Sequence, residues 1–245
     1  MSKPIALQLY SLREAAAKDF EAVVRQVAAM GYDGVEPAGF PGTTAQAAGK
    51  LFKELGLKVP SAHVFPPPTG AKAAEAAEAL AAIGCLRLVS GFGRDNFKTL
   101  DDTKRSCDVF NQAYAEVKAR GLALAIHNHW WEYQVVEGRY PYQVMLELLD
   151  PGIQLEIDTY WVQTGGVDAV KAIQESGKRA TLLHIKDGPA TTTDPMQALG
   201  TGAIDIPALL KAATYAEWLI VELDRCATDM AEACAKSAKY LKTIA

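Results

Sequence analysis

Short β-rich runs alternate with longer, Ala-rich amphipathic stretches eight times along the chain. The apolar runs fall at 5–9, 34–37, 58–64, 86–90, 122–127, 153–158, 180–186 and 218–223. Helical periodicity falls at 19–30, 44–55, 71–83, 101–120, 141–149, 167–175, 206–213 and 228–241. Gly31, Gly56, Gly84 and Gly121 each follow a helical stretch, where a left-handed C-terminal residue is wanted. Asp205, followed by Ile206 and Pro207, has the form of an N-cap with proline early in the first turn. Strands separated by helices must run parallel. Eight such units predict a closed (β/α)8 TIM barrel, an α/β fold, in preference to an open doubly wound sheet. No G-x-G-x-x-G follows the first run, so the dinucleotide-binding form of the open sheet has no support.

The 245 residues are 49% hydrophobic, with no linker-like change of composition, and one barrel domain over 1–245 is expected. The formal charge is −4 with no Lys/Arg cluster, which argues against nucleic acid as a partner. No apolar run is long enough for a membrane span, and the stretch from Met1 to Ile5 lacks an export-signal pattern. Cys85, Cys107, Cys226 and Cys234 form no C-x-x-C pair and read as reduced, packed thiols of a cytoplasmic protein.

A TIM barrel places its chemistry where strands end. Gln8 and Tyr10, Glu36, His63, the run His127-Asn128-His129, Glu156 and Asp158, His184 and Lys186, and Glu222 and Asp224 all occupy such ends. All four histidines are among them. With period two, Glu156 and Asp158 share a face, as do His184 and Lys186, and Glu222 and Asp224. If these faces point inward, the carboxylates need a counter-charge, and a divalent cation satisfies many acceptors at once. The plainer readings are a helix cap for Asp158, a hydrogen-bonded core histidine for His184 and a lysine pair for Glu222. Glu36 and His63 divide between substrate contact and structural hydrogen bonding. Trp130, Trp131 and Trp161, expected in loops at the mouth, divide between sugar stacking and rim packing. Gly200-Thr201-Gly202 reads either as backbone donors for a phosphate or as a turn.

These segments resemble the xylose isomerase-like TIM barrel superfamily, in its sugar phosphate isomerase/epimerase branch. The resemblance rests on ALQLYSLR, GVEPAG, SAHV, IHNHWWEY, LEIDTYW, LLHIKD, ALGTGAIDIP and IVELD, in that order along nearly the whole chain. It implies a single divalent metal ion (Mn, Co, Mg or Zn) held by Asp158, His184 and Glu222. The fourth ligand is His127 by position or Glu132 by ligand type, because the strand-five motif reads His-Asn-His where relatives often read Glu-Asn. It also implies a sugar or polyol substrate contacted by Gln8, Glu36, His63, His129 and Trp161. Isomerisation or epimerisation would proceed through a metal-stabilised enediolate, with Glu132, Glu222 and Lys186 as the catalytic residues. A keto-sugar or inosose dehydratase and a non-catalytic sugar-binding barrel are the alternatives. The balance falls toward an unphosphorylated or oxidised sugar, and homo-oligomers are common among similar proteins. Trp161 stands where the trinuclear zinc nucleases of the superfamily carry a histidine, which points to one metal and not to a nuclease.

Overall fold

Eight parallel strands form one sheet in the computed structural model, which describes residues 3–244. Met1 and Ser2 of the N-terminal stretch, and Ala245, lie outside the described residues. The strands are β1 (Ile5–Gln8), β2 (Gly34–Glu36), β3 (Ala62–His63), β4 (Arg87–Ser90), β5 (Ala123–His127), β6 (Gln154–Asp158), β7 (Ala180–Ile185) and β8 (Trp218–Val221). Their order is β2-β1-β8-β7-β6-β5-β4-β3, with parallel pairing throughout. The ring closes between β2 and the approach to β3, where Gly34 and Lys58 form a parallel bridge. There the Val35 amide donates to the Lys58 carbonyl at 2.9 Å, and the Lys58 amide to the Asp33 carbonyl at 3.0 Å. The third strand is shorter than its apolar run of 58–64 predicts. Pro60, which has no amide hydrogen to give a ladder, interrupts it.

Helices cover all eight expected stretches, for example Phe20–Ala29, Leu100–Lys118 and Met230–Ile244. Phe20, Val23, Val24 and Val27 turn one face of the first of these onto the sheet. Asp205 caps the helix Ile206–Ala212 by accepting from the Ala208 amide at 3.0 Å. Two short helices, Arg13–Ala16 and Thr159–Thr164, are additions that the alternation does not predict. Among the described residues no helix is long and apolar enough to cross a membrane.

The barrel interior is layered by the two-residue period of the strands. Ala6, Val89, Ala125, Leu182 and Ile220 fill the floor as an apolar plug separate from the main core. One step up each strand the lining turns polar. Ala6 gives way to Gln8, Ala125 to His127, Leu182 to His184 and Ile220 to Glu222, and all four polar residues are buried.

Candidate metal centre and active-site cleft

Two groups of polar side chains meet above the plug, Gln8, Glu36, His63 and Glu156 in one and His127, Asp158, Lys186 and Glu222 in the other, and His184 joins them. Its Nδ1 lies 2.9 Å from Glu222 Oε2 in the second group, and its Nε2 lies 2.7 Å from Glu36 Oε2 and 3.1 Å from Glu156 Oε2 in the first. His127 is placed the same way, with Nε2 3.9 Å from Asp158 Oδ2 and Nδ1 3.1 Å from Glu156 Oε2. His63 Nε2 sits between two carboxylates, 2.7 Å from Glu156 and 3.2 Å from Glu36. Glu36 is fixed further by Gln8 Nε2, which donates to it at 2.8 Å, and by the Ser61 hydroxyl.

Asp158 does two jobs. Its Oδ1 accepts from the Trp161 amide at 2.9 Å and so caps the helix Thr159–Thr164. Its Oδ2 is buried and accepts no aligned hydrogen bond, although the Lys186 ammonium is 2.9 Å away. Lys186 also lies 2.6 Å from Glu222 and 2.7 Å from Asp224, so the lysine pair anticipated for Glu222 is present and extends to three carboxylates. Asp158, Glu222 and Asp224 thus share one lysine, Glu36 and Glu156 have only histidines as cationic partners, and no arginine pairs with any of the five among the described residues.

The electrostatics follow from that imbalance. Burial opposes ionisation of Glu36, but His63 and His184 outweigh it and hold the carboxyl well below the usual range. Burial and Glu36 both oppose ionisation of Glu156, yet His184, His63 and His127 bring it down to about 2. Burial would lower His63, but Glu36 and Glu156 raise it to about 10. The same contest leaves His184 well above its ordinary value, through Glu156, Glu36 and Glu222. Burial raises Asp158 to about 6 despite Lys186 and His184.

His127, Asp158, His184 and Glu222 offer four ligand atoms within 4.8 Å of one another, all from buried residues. Donors at about 2.1 Å from one ion are at most about 4.2 Å apart, so small side-chain movements would complete the shell. Asp158 Oδ2, which accepts no aligned hydrogen bond, and the mixed imidazole–carboxylate set, without thiolate, fit a divalent cation. A second group, His63, His127, Glu156 and His184, meets the same spacing. It reuses both shared imidazoles through their opposite nitrogens, and this is the arrangement of carboxylates that orient ligating histidines from behind.

The other expected site residues divide by height. His63, His129 and Trp161 line a cleft of about 740 Å³ at the mouth, together with Tyr10, Trp131, Glu222 and Asp224. Gln8 and Glu36 lie below it, fully buried and committed to each other. Lys186 is also fully buried, in contact with Glu222. Glu132 stands apart from both ligand groups. The turn Trp131–Tyr133 swings it toward Tyr133, Tyr142 and Met145, where it accepts from the His129 amide at 2.9 Å and burial raises it to about 8. Trp161 belongs to a helix and Trp131 to a 3-10 turn rather than to plain loops, and Trp130 packs on both rings from outside the cleft lining. Glu156 joins the centre although only Asp158 of that strand face was expected to act; the shared period-two face was the signal. The amides of Gly200 and Gly202 both donate to Asp187 Oδ2 at 2.9 Å, so the donors considered for a phosphate are engaged inside the chain.

The family model described as the xylose isomerase-like TIM barrel matches residues 24–244. The chain belongs to this family. Among solved members of similar fold, a sugar phosphate isomerase/epimerase from Parabacteroides distasonis is 28% identical, with a TM-score of 0.84 over 98% of this chain and 97% of that one. A D-allulose 3-epimerase from Methylomonas sp. is 16% identical, with a TM-score of 0.71 over 100% of both chains. A probable 3-DHS dehydratase from Bacillus anthracis is 12% identical, with a TM-score of 0.76 over 98% of both. The last two share the xylose isomerase-like fold without indicating a reaction. No curated protein sequence matches the chain.

Proposed function

We propose that the protein is a divalent-metal-dependent sugar isomerase or epimerase that removes a proton next to a carbonyl and passes through an enediolate. The observation that carries this reading is the convergence of His127, Asp158, His184 and Glu222 at the base of the cleft. These four residues would hold the ion, with His127 preferred to Glu132 because Glu132 is turned away. A cation bound there supplies Lewis acidity to a carbonyl and its neighbouring hydroxyl.

The chain's own groups handle the proton. Glu222 lines the cleft, and burial, which would raise its carboxyl, is overcome by Lys186 and His184, so it is an ionised base. Lys186 positions Glu222 and Asp158 and limits their mutual repulsion. His63, at the cleft wall and raised to about 10, is the acid that returns the proton. Trp131 and Trp161 offer apolar faces for the C–H side of a sugar ring and exclude water.

Dehydration is the second reading, and one observation favours it. The strand-five position holds His127, so Glu222 and Asp224 are the only carboxylates on the cleft wall among the described residues, and protonated His63 suits a departing hydroxyl. Ketoses and keto-sugars incubated with Mn²⁺-loaded protein in D₂O and read by proton NMR test both. Deuterium is expected at one carbon next to the carbonyl, with an alkene-derived product if water is lost. Glu222→Gln should lower the exchange rate by about 10²–10⁴-fold. Wild-type binding of sugar without any exchange would favour a non-catalytic sugar-binding barrel instead.

A further inference from the structure

The loop after β7 is built like an anion-binding nest, and the anion is already in place. Asp187 is fully buried. Its Oδ1 accepts from the amides of Gly188 at 2.8 Å and Ile204 at 3.1 Å, and its Oδ2 accepts from Gly200 and Gly202 at 2.9 Å each. Four converging backbone donors are what a bound phosphate would use. The glycines serve this internal contact. A Cβ on Gly202 would lie 2.2 Å from Asp187 Oδ1, and one on Gly200 would lie 2.5 Å from the Tyr240 ring, at a φ of +82°. In TIM barrels the loops after strands seven and eight are the usual phosphate seat; here the first of them is closed by a carboxylate.

Nothing else at the mouth replaces it. Among the described residues no lysine or arginine lines the cleft. Lys186 is held by Asp158, Glu222 and Asp224. Arg13 donates to the carbonyls of Tyr10 and Asp224, and Arg225 to those of Asp194 and Thr192. Arg94, beside the lining residue Gly93, is exposed and outside the lining. A divalent ion together with Lys186 would only balance Asp158, Glu222 and Asp224, leaving no surplus positive charge for a phosphate dianion. The walls are aromatic instead: Tyr10, Phe40, Phe65, Phe92, Trp131 and Trp161. Such rings stack on the C–H faces of an uncharged sugar.

We infer that the substrate is an uncharged sugar without a phosphate group, and that Asp187 closes the site where a phosphorylated sugar would be anchored. This rests on the proposed proton abstraction at the same centre. The test presents Mn²⁺-loaded protein with matched pairs, ketohexoses and their 6-phosphates, and with inorganic phosphate as competitor. Deuterium exchange from D₂O reads the reaction, the fluorescence of the cleft tryptophans reads binding, and manganese content is measured on the same samples. The uncharged member of each pair should exchange with kcat/KM at least about tenfold above its phosphate, and inorganic phosphate should not compete. Preference for the phosphorylated members, competition by phosphate, or binding of no uncharged member would overturn the inference. Binding of uncharged sugars without exchange in manganese-replete protein would sustain it while removing the catalytic reading.

Discussion

At Glu36 three neighbours converge on one carboxylate oxygen: Gln8 Nε2 at 2.8 Å, His184 Nε2 at 2.7 Å and His63 Nε2 at 3.2 Å. With Nε2 of His184 committed to Glu36, its Nδ1 is left facing Asp158 and Glu222, which is the tautomer a metal ligand needs. Glu36→Gln keeps the shape but weakens that orientation. It should raise the Kd for Mn²⁺ by about 10–100-fold in calorimetric titration; an unchanged Kd would remove the orienting role. Glu132 gives a prediction of a different kind. Its carboxyl is raised by burial from 4.5 to about 8, so the folded state binds the proton more tightly than the unfolded state. The resulting stability is fully present below pH 4.5 and is lost as pH rises through about 8, at up to about 1.4 kcal/mol per pH unit. Urea unfolding across this range should show a steeper decline for wild type than for Glu132→Gln, and parallel curves would contradict the assignment. Sequence alone could not choose between His127 and Glu132. The choice depends on how the turn Trp131–Tyr133 rotates a side chain five positions beyond the strand, and neither periodicity nor ligand type encodes that rotation.

Among the elements, the seam between β2 and β3 is the place where the barrel has least to spare. Gly34 meets the Lys58 carbonyl so closely that a Cβ would lie 2.5 Å from its oxygen and 3.1 Å from the Trp218 ring. Gly34→Ala must therefore push the seam apart. It should cost about 1–3 kcal/mol in urea unfolding, and an unchanged midpoint would show that the ring tolerates opening there. The strands and helices themselves were legible because each carries its own period, and parallel order followed from their alternation. The seam was not legible, because Lys58 and Ala62–His63 lie in one apolar run that gives no sign of how Pro60 breaks its pairing. The loop after β7 stayed open for a related reason. Gly200 and Gly202 read either as donors for a phosphate or as a turn, and their acceptor, Asp187, is more than ten residues earlier in the chain and meets them only in the folded loop.

For the whole molecule the central feature is charge. A barrel built on an apolar plug carries above it five carboxylates, one lysine and three histidines, and their protonation states are set by one another. Inward convergence of these residues was foreseeable from strand ends and period two; which of them face up to the cleft and which face down was not, since height in the barrel depends on strand stagger. The measurement that bears most directly on the account is a Mn²⁺ titration of chelator-treated protein, with bound ion counted by elemental analysis after desalting. Close to one ion per chain is predicted for wild type, and almost none for Asp158→Asn and His184→Ala variants that keep the wild-type circular dichroism. Full metal retention by both variants, or a wild type that binds no ion and still exchanges substrate protons, would contradict it.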